Sequence, residues 1–285
     1  MKQLGHASEI SPSEFDFVRL MVKQRSAICL DDSKGYLVSC RLLPIARAEG
    51  FESVSKLIKG LRSRANGPLH VKVVEAIATT ETSFFRDLHP FAALREHILP
   101  ELIHKRRQTT RMLNIWCAAC SGGQEPYSVA MTLREVVPDI DSWAIQLMAS
   151  DLSYAMVEKA REGIFQQLEV NRGLPARLLV RFFEQHDAKW HIKDEIRKMV
   201  TFFQHNLTDQ WTKIPQIDLF LLRNVLIYFD VDTRRSILRQ VRRHLKPDGY
   251  LVLGGAETTL SLDSTFKRVS FGRAALYQVG EDSGP

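Results

Sequence analysis

The sequence contains little cysteine and no long apolar run. Its 285 residues include only four cysteines, too few for a disulfide-stapled scaffold of this size. Cys117 and Cys120 have the spacing of a redox motif or half a zinc site, but the chain has no second CxxC and no HExxH. We therefore interpret them as small buried residues at the end of a strand, and we expect no metal site. No apolar segment is long enough to span a bilayer, so membrane insertion is not expected either.

The first ten residues, MKQLGHASEI, lack the apolar segment of a secretory signal, which favours a cytoplasmic location. Apolar residues make up 45% of the chain and charged residues 25%, a composition typical of globular proteins. The length allows one large α/β domain, or a modest domain with a smaller one.

Basic residues outnumber acidic residues, and they are unevenly distributed. The net charge of +6 indicates a mild preference for acidic partners. Between positions 34 and 64, seven basic residues accompany only the acids Glu49 and Glu52. The seven are Lys34, Arg41, Arg47, Lys56, Lys59, Arg62 and Arg64. A second basic cluster, at positions 105–107 and 111, is interpreted as a solvated face.

The first eighty residues are predicted to be helical. Ser11 and Glu14 form a capping-box pattern, with Pro12 at the first helical position. Further helices are predicted from about residue 32 to 50, from 53 to 60, and after Gly67-Pro68.

The remainder of the chain alternates between strands and helices. Strands are predicted at 113–118, 143–149, 201–205, 217–222 and 250–253, with helices at 125–136, 154–161 and 232–245. Residues 246–249 are predicted to be a turn, and residues 266–279 a hairpin around Gly272. The alternation predicts an α/β fold with a doubly wound, mostly parallel sheet, interrupted by an irregular insertion.

Three loops are predicted at the carboxyl edge of this sheet, where ligands bind in such folds. The first contains Gly122 and Gly123, the second begins at Asp151, and the third contains Asn206 and Leu207. Glycine permits close approach to backbone N–H groups, and an acid can accept hydrogen bonds from ribose hydroxyls. The pattern suggests a nucleoside without phosphates, since neither GxGxxG nor GxxxxGK[ST] occurs. The alternative interpretation is that the glycines only serve the backbone conformation of the turn and bind no ligand.

Several motifs resemble those of the CheR family of chemotaxis receptor methyltransferases, over about residues 13 to 279. They are ATTETSFFRD at 78–87, WCAACSGGQEPYS at 116–128, ASD at 149–151, NL at 206–207, RNVLIYF at 223–229 and LKPDG at 245–249. The FFR and RNVLIYF segments are specific to this family.

The resemblance implies a helical N-terminal domain at residues 1–80, which docks the receptor. It also implies a Rossmann-like class I methyltransferase domain at 81–285, carrying a small antiparallel β-subdomain at about 173–205. The enzyme would transfer methyl from S-adenosylmethionine to receptor glutamates, giving methyl esters and S-adenosylhomocysteine. By position, the residues expected to surround the cofactor are Thr80, Thr82, Arg86, Glu125, Asp151, Asn206, Leu207, Arg223 and Asn224. Arg86 and Tyr228 are expected to flank the transferred methyl group, and Arg41 and Arg47 to meet the receptor.

The sequence departs from the family pattern at four positions of the cofactor site. The family usually has Asn at Thr80, Gly at Ala119, Thr or Ser at Gly122, and often Glu at Gln124. Ala119 is small enough to keep a close approach. The structural alternative for Arg86 is an ion pair with its neighbour Asp87, and for Tyr228 packing under the sheet edge.

Some family members use the β-subdomain to bind a peptide at the receptor's C-terminus by strand addition. Their subdomain has a longer turn with glycine, whereas residues 182–192 of this chain contain none. The turn must therefore place Asp187 at positive φ or avoid that conformation. We expect a monomeric enzyme that does not depend on such a peptide.

Two other functions remain open. A nucleic-acid methyltransferase is compatible with the basic charge, but residues 223–226 read RNVL, not [DNS]PP[YF], and the chain has no Pro-Cys dipeptide. Nucleic acid is therefore not an expected partner. A scaffold that has lost activity is the other alternative, against which the presence of Arg86, Glu125, Asp151 and Tyr228 counts.

Overall fold

The computed structural model describes residues 10–63 and 66–280. Arg64 and the outer ends of the two expected domains lie outside the described residues. The chain divides into two compact units. One ends at Thr79 and also includes Tyr228–Asp230, and the other contains the rest of the chain from Thr80 onward.

The first unit is helical, as predicted. Its helices are α1 (Pro12–Ser26), α2 (Gly35–Ala48), α3 (Val54–Ser63) and α4 (Pro68–Ile77), with a 3-10 turn at Asp32–Lys34 before α2. The capping box is confirmed, because Ser11 N–H donates to the Glu14 carboxylate at 2.8 Å and Glu14 N–H donates to Ser11 Oγ at 3.3 Å. Val18, Leu42 and Leu57 are fully buried and belong to the core of these helices.

The segment Tyr228–Asp230 belongs to this helical unit although it is distant in sequence. Cys29 N–H donates to the Tyr228 carbonyl at 2.8 Å, and Ile28 forms an antiparallel bridge with Phe229. The carboxylate of Asp230 lies 3.0 Å from Lys23 Nζ. Backbone contacts thus attach the end of the RNVLIYF motif to the segment that follows α1, and the ion pair attaches Asp230 to α1 itself.

The second unit contains the strands of the protein. They are β1 (Met112–Ala118), β2 (Ala144–Asp151), β3 (Ile164–Gln166), β4 (Phe183–His186), β5 (Lys189–Ile192), β6 (Val200–Gln204), β7 (Ile217–Leu222), β8 (Leu245–Leu253), β9 (Phe266–Phe271) and β10 (Ala274–Val279). Seven of them form one sheet in the order β6-β2-β1-β7-β8-β10-β9. The pairs from β6 to β8 are parallel and the last two are antiparallel, which confirms the predicted α/β fold.

Helices accompany the sheet strands. They are α5 (His89–Ala93), α6 (Leu99–Arg107), α7 (Gln124–Val136), α8 (Tyr154–Glu162), α9 (Gln167–Asn171), α10 (Ala176–Phe182), α11 (Asp194–Arg197) and α12 (Val231–His244). A π-helical turn at Leu94–Ile98 joins α5 to α6. Within the described residues, no helix combines the length and apolar character that crossing a membrane would require.

Strands β3, β5 and β4 form a separate antiparallel sheet, in that order. This small sheet starts at Ile164, before the expected insertion at about 173–205, and β6 at the end of that range belongs to the main sheet. A two-residue turn connects β4 to β5, and Asp187 in it has φ +53°. The turn without glycine therefore takes its positive φ from Asp187, one of the two conformations that the sequence allows.

Two predictions near the amino edge of the sheet were wrong. Residues 246–249 are not a turn that precedes the strand but part of it, because β8 starts at Leu245 and bulges between its pairings with Ile217 and Leu219. Arg106 is not on a solvated face, since its guanidinium donates to the fully buried Asp218 at 2.8 Å and to Asp248 at 2.6 Å. A buried carboxylate in the sheet requires charged partners, and the basic cluster supplies one.

Candidate cofactor site

Parallel strands β6, β2, β1 and β7 direct their carboxyl ends to one edge of the main sheet. The chain passes from β1 to β2 on one side and returns to β7 on the other, so the strand order reverses between β1 and β7. Ligands of open α/β sheets bind at such a reversal. The ends of these strands and the segments that follow them contain all but four of the predicted cofactor and catalytic residues. The exceptions are Thr80, Thr82 and Arg86, which precede the sheet, and Tyr228, which lies in the helical unit.

The loop between β1 and α7 has an unusual backbone. Ala119, Ser121 and Gly123 have φ of +56°, +48° and +89°. Two of the three are not glycine, and such conformations concentrate where the surrounding structure enforces them. Ala119 thus adopts the left-handed conformation at the position where the family usually has glycine. Ser121 Oγ donates to the Thr80 carbonyl at 2.6 Å, which attaches this loop to the segment before the sheet.

Asp151 at the end of β2 holds the same loop. Its two carboxylate oxygens accept the N–H groups of Ser121 at 2.8 Å and Ser153 at 2.9 Å. The residue is 9% exposed. A carboxylate has about four lone-pair sites, so it can also accept bonds from a ligand. Asp151 therefore has a structural role that the sequence did not indicate, next to the expected ribose contact.

Glu125 and Arg223 form a buried ion pair at this edge. Glu125 lies in the first turn of α7, and its carboxylate is 2.7 Å from Arg223 Nη1. The two residues are 9% and 5% exposed. Burial raises the pKa of Glu125, while the charge of Arg223 opposes that increase. Sequence motifs identified both residues, but not that they bind each other.

Arg223 also organises the FFRD segment. Its Nη2 donates to the Arg86 carbonyl and to the Asp87 carboxylate, both at 2.8 Å. The alternative of an Arg86–Asp87 pair is therefore not formed, since Asp87 binds Arg223 instead. Arg86 itself is half-buried and donates to the Glu81 carbonyl at 3.1 Å. The segment is strained, because Phe85, Asp87 and Leu88 all have positive φ.

The third predicted loop follows β6. The Asn206 side-chain oxygen accepts hydrogen bonds from Thr208 N–H at 3.2 Å and from Thr208 Oγ1 at 2.9 Å. Leu207 is 6% exposed, and its carbonyl accepts a hydrogen bond from Trp211 Nε1 at 3.3 Å. His205 N–H donates to the Asp151 carbonyl at 2.9 Å, so this loop is attached to the end of β2. Thr82 is half-buried in the segment before the sheet.

Sequence reasoning missed Glu257, which lies in the loop after β8. Its carboxylate accepts the backbone N–H groups of Asn224, Val225 and Leu226 at 2.7–2.9 Å. Asn224, a predicted cofactor residue, has φ +57°. The sequence shows only a single glutamate in a loop that contains glycine, and this pattern does not predict hydrogen bonds to the backbone of another loop.

The remaining predicted residues lie in the helical unit. Arg41 donates to the carbonyls of Ile77 and Ala78, the second at 3.2 Å, at the end of α4. Arg47 is exposed and has no side-chain hydrogen bond or ion pair within the described residues. Tyr228 is half-buried in the segment that contacts Cys29.

The cysteine pair at the end of β1 fits the interpretation made from the sequence. Cys117 and Cys120 are 0% and 2% exposed, and both are free thiols. Burial raises the pKa of both well above the ordinary thiol value. Cys117 in β1 and Cys120 in the loop that follows are therefore buried packing groups.

The residues present fit S-adenosylmethionine. Two carboxylates, Asp151 and Glu125, suit ribose hydroxyls and a cationic amino group. Arg223 Nε and Gln124 Oε1 are buried without a hydrogen-bond partner among the described residues, and such groups ordinarily have one. A ligand with both donors and acceptors can satisfy them.

Two family models match this chain. Residues 13–77 match the CheR methyltransferase all-alpha domain, and residues 80–274 match the CheR methyltransferase SAM-binding domain. Chemotaxis protein methyltransferase 1 of Vibrio cholerae is 36% identical over 96% of this chain and 99% of its own length. Chemotaxis protein methyltransferase 1 of Pseudomonas aeruginosa is 35% identical, over 94% and 98%. The chemotaxis protein methyltransferase of Borreliella burgdorferi is 32% identical, over 87% and 89%.

Proposed function

Because the chain belongs to the CheR methyltransferase family, we propose that it methylates glutamate side chains of chemotaxis receptors with S-adenosylmethionine. The products are glutamate methyl esters and S-adenosylhomocysteine. The observation that supports this most is the buried Arg223–Glu125 pair, which connects the FFRD segment to the first turn of α7. It unites two motifs of the family in one site.

The cofactor is assigned to the carboxyl edge of the main sheet. Asp151 accepts hydrogen bonds from the ribose, and Asn206 with Leu207 frames the adenine. The methionyl part of the cofactor lies next to Glu125 and Arg223. The other residues assigned to contact the cofactor are Thr80, Thr82, Arg86 and Asn224. The support for these roles is the family resemblance together with the juxtaposition of the three loops.

The reaction requires little acid–base chemistry from the protein. S-adenosylmethionine supplies a methyl group on a positively charged sulfur. A glutamate carboxylate has an ordinary pKa of about 4.3, so it is an ionised nucleophile at neutral pH without a general base. The protein contributes orientation and exclusion of water. We assign Arg86 and Tyr228 to the space around the transferred methyl group, with Arg86 orienting a carboxylate.

Receptor docking is assigned to the basic N-terminal helices, through Arg41 and Arg47. A receptor helix that carries several glutamates is an acidic surface, which these cations complement. Docking through this unit does not require a C-terminal receptor peptide. We propose that the enzyme acts as a monomer in the cytoplasm, on the cytoplasmic helical region of the receptor.

The proposal is tested by transfer of labelled methyl groups to membranes that hold one candidate receptor at a time. Base-labile label on the receptor supports the proposal, because glutamate methyl esters hydrolyse in mild base. Calorimetric titration with S-adenosylhomocysteine distinguishes an enzyme from a scaffold. Cofactor binding without transfer to any receptor would contradict the substrate assignment, and absence of binding would contradict the enzyme itself.

A further inference from the structure

Glu257 lies outside the motifs that carry the family resemblance, yet its carboxylate has a concentrated set of backbone donors. Oε2 accepts the N–H groups of Asn224 at 2.7 Å and Gly254 at 2.8 Å. Oε1 accepts the N–H groups of Val225 at 2.9 Å and Leu226 at 2.7 Å. Glu257 is only 7% exposed. A buried carboxylate is costly unless it is well satisfied, and here four backbone dipoles satisfy it.

These bonds join the loops after two neighbouring strands. Asn224, Val225 and Leu226 follow β7, whereas Gly254 and Glu257 follow β8. Glu257 N–H donates back to the Gly254 carbonyl at 2.9 Å, which closes the second loop on itself. No cationic side chain forms an ion pair with Glu257 in residues 10–63 and 66–280. The function of the carboxylate is therefore to hold backbone.

The backbone that Glu257 holds includes a residue in the left-handed conformation. Asn224 has φ +57°, a conformation that is uncommon for residues other than glycine but that asparagine tolerates better than most. The hydrogen bond from its N–H to Glu257 holds it there. The adjacent Gly254 approaches it closely. A Cβ on Gly254 would lie 2.7 Å from Asn224 Nδ2 and 2.8 Å from Glu257 Oε2. Glu257 thus holds the backbone of Asn224, and the absence of a side chain at Gly254 leaves room for the Asn224 side-chain amide.

We infer that Glu257 is a positioning residue, which presents Asn224 and the adjoining Arg223 to the cofactor. This inference rests on the proposed function, because Asn224 and Arg223 are cofactor residues only under that proposal. Glu257 acts through the loop and does not touch the reacting atoms. Its loss weakens cofactor binding by releasing Asn224 from the left-handed conformation.

The test is the substitution Glu257→Gln, with S-adenosylhomocysteine affinity measured by calorimetry on the full chain. A glutamine has one acceptor oxygen, so two of the four N–H groups meet an amide NH2 instead. We expect the affinity to fall at least tenfold. The matched control is Glu101→Gln, since Glu101 accepts bonds from Lys105 and Tyr250 in the same unit at 2.7 and 2.8 Å. This control is expected to lower the melting temperature without changing affinity.

A second variant covers the case in which Glu257→Gln does not fold. Gly254→Ala keeps the carboxylate but inserts a Cβ against Asn224, and we expect it to lower affinity as well. A double-variant cycle with Asn224→Gly completes the test, because glycine adopts the left-handed conformation freely. If Glu257 acts through Asn224, Glu257→Gln has a much smaller effect in the Asn224→Gly background.

The outcomes separate the inference from the proposed function. If the unaltered protein does not bind S-adenosylhomocysteine, the proposed function fails. If it binds and Glu257→Gln binds equally well, with only a lower melting temperature as in Glu101→Gln, the positioning role is refuted. Additive effects in the double-variant cycle also refute it.

Discussion

The carboxylate of Glu125 and the guanidinium of Arg223 lie 2.7 Å apart, with side chains 11% and 1% exposed. Removing one partner of such a buried pair strongly lowers the free energy of unfolding, because the other charge is left buried and unpaired. The attraction between the two charges is largely offset by the cost of taking them out of water. Because Arg223 also binds the Arg86 carbonyl and Asp87, one guanidinium connects three segments of the site. Variants of this pair are therefore expected to affect stability and activity together.

Arg223→Met is expected to lower the free energy of unfolding by about 3–5 kcal/mol, because Glu125 is left buried and unpaired. Glu125→Gln retains a neutral acceptor and is expected to cost about 1–3 kcal/mol. Denaturant unfolding followed by circular dichroism measures both. Arg172→Met is the control, since the Arg172–Glu81 pair is on the surface and its loss should change stability little. An equally small effect of Arg223→Met would show that the site tolerates the unpaired charge.

Asp151→Ala is expected to weaken S-adenosylhomocysteine binding about thirty- to hundredfold, from the loss of about 2–3 kcal/mol of charged hydrogen bonds. It should also lower the melting temperature, because the N–H groups of Ser121 and Ser153 lose their acceptor. Calorimetric titration and thermal unfolding separate the two effects. Asp139→Ala, which removes a surface partner of Arg107, should leave the affinity unchanged. An Asp151→Ala variant with normal affinity would refute the ribose assignment.

Arg86→Ala is expected to lower turnover far more than it weakens S-adenosylhomocysteine binding. The reason is that the Arg86 guanidinium has one hydrogen bond within the described residues, to the Glu81 carbonyl, and is otherwise available to substrate. Initial rates of labelled methyl transfer and product affinity are measured on the same preparation. Arg95→Ala is the control for loss of an arginine in this unit. If turnover survives in Arg86→Ala, the residue is only a structural anchor.

The double variant Arg41→Glu/Arg47→Glu is expected to lose receptor methylation while it binds S-adenosylhomocysteine normally. The single variant Arg47→Glu is the sharper test, because Arg41 also binds the carbonyls at the end of α4 and its reversal should destabilise the unit. Methylation by the unaltered enzyme should weaken as salt shortens the Debye length below about 8 Å. Lys59→Glu, on α3, controls for net charge. Normal methylation by the double variant would place the docking surface elsewhere.

The enzyme is expected not to bind C-terminal peptides of its own receptors. The tight turn between β4 and β5, with Asp187 at φ +53°, sets the twist and register of the edge that such a peptide would join. Titration of the purified protein with these peptides measures the affinity. Low-micromolar binding of any of them would overturn this prediction, whereas a scrambled peptide provides the baseline.

Much of the fold follows from local patterns in the sequence. The alternation of strands with helices along the second unit predicted the mostly parallel sheet. The hairpin of β9 and β10 around Gly272 and the capping box at Ser11 were also predicted correctly. In each case the signal lies within a few neighbouring residues.

The errors and omissions concern contacts between distant segments. Arg106 looks like a surface charge in sequence, but its partner Asp218 is more than a hundred positions away. Glu257 likewise acts on backbone groups of a loop that follows another strand. The left-handed conformation of Ala119 contradicts local preference, and only the tertiary structure enforces it.

The strand order has a consequence for how this protein folds. Ile115 in β1 lies beside Leu219 in β7, so the central pair of the sheet joins segments separated by about a hundred residues. A loop of that length closes at a large entropic cost before any of its contacts are gained. The β9–β10 hairpin and the helices of the first unit involve only near neighbours. Refolding from denaturant is therefore expected to show early helix formation, followed by a slower phase in which the centre of the sheet and the cofactor loops form together.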